Sequence, residues 1–126
     1  MQNTERIELE YSINTIPKIL YYRLSNPSGL EEWFANKVNL KNNIYTFKWS
    51  NSEQSAELIE KKTDQFIRFK WLDSGEDTFF EFSIHKQELT GDVALQIIDF
   101  AEPDEKDDII EMWDEQVDGL KHTLGV

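Results

Sequence analysis

Two carboxylates in apolar strand-like segments are the residues best suited to chemistry. Asp99 follows Ile97 and Glu60 follows Leu58, each two positions after an apolar residue. In a strand this spacing places both carboxylates on the inward face. Burial raises the pKa of a carboxyl group, and a raised pKa suits a general acid. Asp99 and Glu60 are therefore candidate acids, with a strand-end position in contact with water as the alternative for each.

Other kinds of catalytic or metal site find no support. The chain has no cysteine, which excludes disulfides and thiolate chemistry. His85 and His122 lack a second histidine or a carboxylate at metal-ligand spacing. Neither a nucleophile elbow nor a glycine-rich phosphate loop occurs. We predict no metal, no cofactor and no catalytic set, so the sequence favours a binding protein and leaves an enzyme open.

Size and charge restrict the class of protein. With 126 residues, 39% of them hydrophobic, the chain is expected to form a single domain, residues 1–126. The net charge of −12 disfavours nucleic acid and anionic membranes as partners, because both attract clustered Lys and Arg. No run approaches the ~20 apolar residues of a membrane span or forms a signal peptide. We expect a cytoplasmic protein whose oligomeric state the sequence leaves unknown.

A strand and two short helices are predicted at the start of the chain. Apolar residues alternate with polar ones over residues 7–13, which is typical of a strand with one buried face. Pro17 suits the first turn of a helix that Asn26-Pro27 ends. Ser28 is predicted to cap a second short helix, which brings Trp33 towards the core.

An antiparallel meander and a long helix follow. Six further strands are predicted at residues 38–40, 44–49, 55–62, 66–72, 78–85 and 93–101. Short gaps rich in turn residues separate them, at 41–43, 50–53, 63–64, 73–76 and 89–92. Beyond Pro103, apolar residues recur every three or four positions and predict a helix about 27 Å long. They are Ile110, Trp113, Val117, Leu120 and Leu124.

This order of elements, with several local motifs, resembles a known family. One strand, two short helices, six strands and a long last helix are similar to the START-like superfamily, also called SRPBCC, helix-grip or Bet v 1-like. The most specific segments are residues 17–34, containing the turn Ser25-Asn26-Pro27-Ser28-Gly29, and residues 91–97, reading GDVALQI. They resemble the branch of activators of the ninety-kilodalton heat-shock chaperone ATPase.

The resemblance implies an α+β fold in which a curved antiparallel sheet of about seven strands wraps around the C-terminal helix. The concave face of that sheet is then aromatic, and it defines a candidate ligand-binding set, with plain core packing as the alternative. The set is Trp33, Phe47, Trp49, Phe69, Trp71, Phe80, Phe82, Leu95, Asp99, Trp113 and Val117.

Three functions are compatible with this fold. The first is binding of a small hydrophobic or amphipathic ligand between sheet and helix, since 126 residues leave little room to enclose a large lipid. The second is a protein-interaction module, similar to the chaperone ATPase activators, whose acidic surface meets a basic protein. The third is a cyclase-like or hydrolase-like enzyme that uses an inward carboxylate such as Asp99.

Overall fold

A seven-stranded antiparallel sheet and one long helix form the framework of the protein. The computed structural model describes residues 4–74 and 78–126. Its strands are β1 (Glu5–Ser12), β2 (Lys37–Lys41), β3 (Ile44–Lys48), β4 (Glu53–Lys62), β5 (Phe66–Trp71), β6 (Phe80–Lys86) and β7 (Val93–Ala101). Its helices are α1 (Pro17–Ser25), α2 (Pro27–Leu30) and α3 (Lys106–Leu124), with a 3-10 turn at Pro103–Glu105 before α3.

The strands pair in the order β1-β7-β6-β5-β4-β3-β2, so each neighbour but one follows directly along the chain. The exception is β1, which joins the sheet beside the last strand through eight antiparallel residue pairs. At the other edge, Asn42 and Asn43 form the two-residue turn between β2 and β3 and have φ of 53° and 65°. Asparagine tolerates this left-handed conformation, which such a hairpin requires at both positions. The turn predicted at 73–76 lies partly outside the described residues.

The concave face of the sheet is aromatic, as the alternation predicts. Phe47, Phe69 and Phe82 are fully buried and belong to one apolar core. From the helix side, Trp113, Val117 and Leu120 enter the same core. The α+β helix-grip architecture predicted from the sequence is thereby confirmed.

Helix α3 begins and ends with suitable residues. Asp107 and Asp108 lie in its first turn, where carboxylates favour the positive end of the helix dipole. Gly125 ends the helix with φ of 75° and donates its N–H to the carbonyl of His122. A residue without Cβ adopts this conformation without strain.

The predicted inward orientation of Glu60 is wrong, and the alternative, contact with water, is the one observed. Strand β4 contains a bulge between Leu58 and Glu60, which adds one unpaired residue, Ile59. Beyond the bulge the alternation is reversed, and Glu60 pairs with Arg68 on the convex face, exposed to solvent. Glu60 therefore does not face the interior.

The predicted cap of α2 is also wrong. The side chain of Asn26, not that of Ser28, caps this helix by accepting a hydrogen bond from the Ser28 N–H at 2.9 Å. Gly29 then lies so close to α1 that an added Cβ would be 2.7 Å from the Arg23 Cα and closer still to the Tyr22 carbonyl. The turn thus requires glycine for reasons of space.

Candidate functional site

A cavity of about 600 Å³ lies between the N-terminal half of α3 and one end of the sheet. The strand ends on this side belong to β3, β4, β5, β6, β7 and β1, and Phe34 contributes from the segment after α2. The lining residues are Thr4, Phe34, Trp49, Ser52, Gln54, Trp71, Thr78, Phe79, Asp99, Phe100, Ile109, Met112, Trp113 and Gln116.

Asp99 and Trp113 form the polar contact at the centre of this lining. The indole N–H of Trp113 donates to Asp99 Oδ2 at 2.9 Å, and the Phe100 backbone N–H donates to Asp99 Oδ1 at 2.8 Å. Burial raises the pKa of the Asp99 carboxyl group, although both hydrogen bonds act in the opposite direction. Asp99 is therefore a desolvated carboxylate that is only partly compensated.

A second polar contact lies at the carbonyl oxygen of Phe34. It accepts the indole N–H of Trp49 at 2.8 Å and the side-chain amide of Gln116 at 3.2 Å. This single backbone oxygen connects the end of β3, the segment after α2, and α3. The side-chain amide oxygen of Gln116, Oε1, is buried without a hydrogen-bond partner.

Aromatic rings supply the walls. Phe34 stacks on Trp113 with ring centroids 5.8 Å apart and planes inclined by 11°. Trp71 stacks on Phe80 at 4.7 Å, so its indole is supported from behind while it borders the cavity. Stacked and edge-to-face pairs of this kind hold large side chains in defined positions. The walls are accordingly rigid and flat.

The predicted ligand-binding residues divide into two groups. Four line the cavity: Trp49, Trp71, Asp99 and Trp113. Seven lie in the packed core behind it: Trp33, Phe47, Phe69, Phe80, Phe82, Leu95 and Val117. The role of either group in binding stays a prediction.

Several lining residues are absent from the ligand-binding set predicted from the sequence. Ile109, Met112 and Gln116 lie on α3 at helical spacing around Trp113, so they share one face with it. This helical spacing could have identified the three residues. They lie on a face of α3 that is rotated by one residue from the predicted apolar stripe containing Ile110 and Val117. Ser52 and Gln54 lie in and after the β3–β4 turn, where local pattern gives no indication of a cavity.

The arrangement holds few groups capable of proton transfer. Among the lining residues at positions 4–74 and 78–126, Asp99 is the ionisable side chain, and His85 and His122 lie outside the lining. In the described part of the chain, no group of three or more His, Cys, Asp or Glu is placed to hold a metal ion. The Asp99 carboxylate can accept a hydrogen bond from a molecule in the cavity.

Comparison with known proteins agrees with this architecture. The START-like superfamily domain matches residues 1–126. The solution NMR structure of BfR322 from Bacteroides fragilis is 41% identical, with a TM-score of 0.70, and the match covers 98% of this chain and 93% of that one. The chain belongs to the START-like superfamily.

Two structures of much lower identity share the fold. The Aha1 dimer from Colwellia psychrerythraea has a TM-score of 0.79 at 14% identity, covering 93% of both chains. MLL2253 from Mesorhizobium loti has a TM-score of 0.78 at 15% identity, covering 96% of this chain and 97% of that one. Comparison with curated proteins finds no match. Membership of the chaperone-activator branch stays a prediction.

The helices carry no sign of a membrane span. Within residues 4–74 and 78–126, none of them combines the length and apolar character needed to cross a bilayer.

Proposed function

We propose that this chain acts as a single domain that binds a small, largely apolar ligand in the α3 cavity without transforming it. START-like proteins typically bind hydrophobic ligands or act as polyketide cyclase-like proteins. The observation that carries the proposal is the cavity itself, walled by Phe34, Trp49, Trp71 and Trp113. Its volume of about 600 Å³ lies within the range of small-molecule sites in proteins.

Binding is favoured over catalysis because, among the described residues of the lining, Asp99 is the one carboxyl group and no basic side chain lies beside it. General acid–base chemistry usually needs a second titratable group or an activated nucleophile. Both oxygens of Asp99 already accept hydrogen bonds, from Trp113 and from the Phe100 backbone. These contacts suit a fixed acceptor better than a proton carrier.

Native mass spectrometry of the freshly purified protein, followed by ¹H–¹⁵N spectra, tests the proposal. The chain has four tryptophans, each with one indole N–H signal. A small aromatic ligand should shift the signals of Trp49, Trp71 and Trp113. Trp33 is an internal control, because its N–H donates to the Arg23 carbonyl at 2.8 Å away from the cavity lining.

The result that would refute the proposal is equally definite. If neither co-purified compounds nor a panel of small apolar and amphipathic molecules shifts Trp113 more than Trp33, the cavity is not a binding site. A shift of equal size at all four indoles would indicate a global change and count against it as well.

A second function, docking of a basic protein, is favoured by the solvent face of α3. This acidic face consists of exposed carboxylates at Asp107, Asp108, Glu111, Asp114, Glu115 and Asp118. Such a surface speeds association with a basic partner in a salt-dependent manner. Replacing Glu111, Glu115 and Asp118 by their amides should abolish a salt-sensitive pull-down, and an unchanged pull-down would exclude this face.

A further inference from the structure

Two indole donors of the cavity lining are already engaged in hydrogen bonds, whereas one of its acceptors, Asp99, retains capacity. The indole N–H groups of Trp49 and Trp113 donate to the Phe34 carbonyl and to Asp99. Each oxygen of the Asp99 carboxylate accepts one hydrogen bond, whereas a carboxylate oxygen can accept two. Asp99 therefore retains accepting capacity within the site.

Gln116 adds a second acceptor, and its orientation follows from its neighbour. The Phe34 carbonyl can only accept a hydrogen bond, so the amide nitrogen of Gln116 must face it. The amide oxygen is consequently directed elsewhere, and it is buried without a partner. This oxygen is inaccessible to solvent, so a ligand could reach it only after the Gln116 side chain moves, and Asp99 is the acceptor that borders the cavity directly.

Asp99 and Gln116 both adjoin Trp113, one through a hydrogen bond and the other one helical turn further along α3. We propose that the ligand carries a neutral or cationic N–H or O–H donor group that lies against the Asp99 carboxylate, and that carboxylate-bearing amphiphiles are excluded. This inference rests on the proposed function and specifies the ligand class of the same cavity.

Electrostatics acts in the same direction. A ligand carboxylate would bring a second negative charge beside Asp99 in a partly desolvated site, where like charges repel more strongly than in water. Within the part of the lining that the structure describes, no Lys or Arg compensates it. The net charge of −12 adds a general repulsion of anions. Fatty acids are therefore poor candidates despite the apolar walls.

Four probes that share one ring system separate the possibilities. Naphthylmethylamine carries a cationic donor, naphthalenemethanol a neutral donor, naphthoate an anion and methylnaphthalene no polar group. Dissociation constants are measured at about pH 8, well above the usual pKa of an aspartate, from the Trp113 indole signal. We expect the amine and the alcohol to bind at least about tenfold more tightly than naphthoate, as one hydrogen bond to a charged group predicts.

Two isosteric variants locate the origin of the preference. Asp99→Asn removes the charge inside the cavity and should reduce the preference for amine over naphthoate by about tenfold. Glu60→Gln removes the same charge from the convex face of the sheet and should leave the preference unchanged. Equal loss in both variants would assign the effect to net charge and overturn the proposal.

The two proposals, that the cavity binds a ligand and that this ligand carries a donor group, can fail separately. If none of the four probes binds, the cavity is not a ligand site and both proposals fall. If methylnaphthalene binds as tightly as the amine, or naphthoate as tightly as the alcohol, the apolar cavity stands and the donor requirement is overturned. Because the wild-type comparison is decisive alone, the test does not depend on the folding of a variant.

Discussion

Replacement of Trp113 by alanine tests whether α3 is held by this single side chain. Trp113 is 2% exposed, and its ring lies between Phe34 at 5.8 Å and Phe82 at 5.7 Å. Its N–H also satisfies one oxygen of Asp99. The substitution therefore removes a packed ring and a hydrogen bond to a desolvated carboxylate together.

The expected decrease in the free energy of unfolding follows from these two losses. Truncation of a buried aromatic residue to alanine costs about 3–5 kcal/mol. Loss of the hydrogen bond to Asp99 adds roughly 1.5–3 kcal/mol, part of which water in the adjoining cavity recovers. We expect Trp113→Ala to lower the free energy of unfolding by about 4–6 kcal/mol, comparable to the total stability of many domains.

Trp71 provides the comparison. It is partly buried and borders the cavity, so about half of its apolar area contributes. At about 25 cal/mol per Å² and roughly 200 Å² for an indole, Trp71→Ala should cost about 2–3 kcal/mol. Trp113→Phe retains most of the ring contacts and should cost roughly 1.5–3 kcal/mol, mainly through the lost N–H.

Urea unfolding with linear extrapolation measures all three variants. The reasoning is refuted if Trp113→Ala costs no more than Trp71→Ala, because the helix would then be held by other contacts. If Trp113→Ala does not fold, the unfolding free energy of Trp113→Phe still tests the contribution of the Trp113 N–H. A loss below about 0.5 kcal/mol in that variant would contradict the role assigned to the Asp99 contact.

Three further predictions concern pH and close packing. Because burial raises the pKa of Asp99, its ionisation destabilises the folded state, with no penalty below the ordinary value of 3.8 and a growing one above it. Asp99→Asn loses one accepted hydrogen bond at every pH, because an amide has a single acceptor oxygen, but its unfolding free energy relative to wild type should rise as the pH increases above 3.8; a difference independent of pH would contradict the assignment. Gly29→Ala should destabilise by about 3 kcal/mol through its contact with the Tyr22 carbonyl, whereas Gly119→Ala, with no atom within 4 Å, should stabilise by about 0.5–1 kcal/mol. Thermal unfolding compares the two, and equal effects would exclude the steric explanation. Burial and, secondarily, Tyr21 raise the pKa of Tyr45 from 10.0 to about 12, so wild-type stability should fall across that interval and Tyr45→Phe should lose less in an alkaline denaturation series.

Local pattern predicted the framework because strand and helix periods are local properties. The alternation around Phe47, Phe69 and Phe82 correctly assigned the concave face, and the spacing around Trp113 correctly assigned α3. Glu60 failed because a bulge reverses the alternation without changing the composition of the strand. A period-two rule cannot detect one inserted residue.

The polar groups of the cavity depend on contacts between distant segments. Asp99 was recognised because it interrupts an apolar strand. The position of Gln116 depends instead on how α3 is rotated against the Phe34 carbonyl, 82 residues earlier in the chain. A pattern within a short stretch of sequence gives no information on a contact over that separation. The aromatic walls and Asp99 are therefore accessible to sequence reasoning, whereas the contact between Gln116 and the Phe34 carbonyl is not.

The Phe34 carbonyl restricts outward movement of α3. Because Trp49 and Gln116 both donate to this oxygen, outward movement of α3 pulls on the same peptide group that fixes the indole of Trp49. The two sides of the cavity are joined through this one backbone oxygen. Truncation of Trp49 or Gln116 would therefore remove one of the two contacts to this oxygen, whereas truncation of Trp71 would enlarge the cavity and leave both contacts in place.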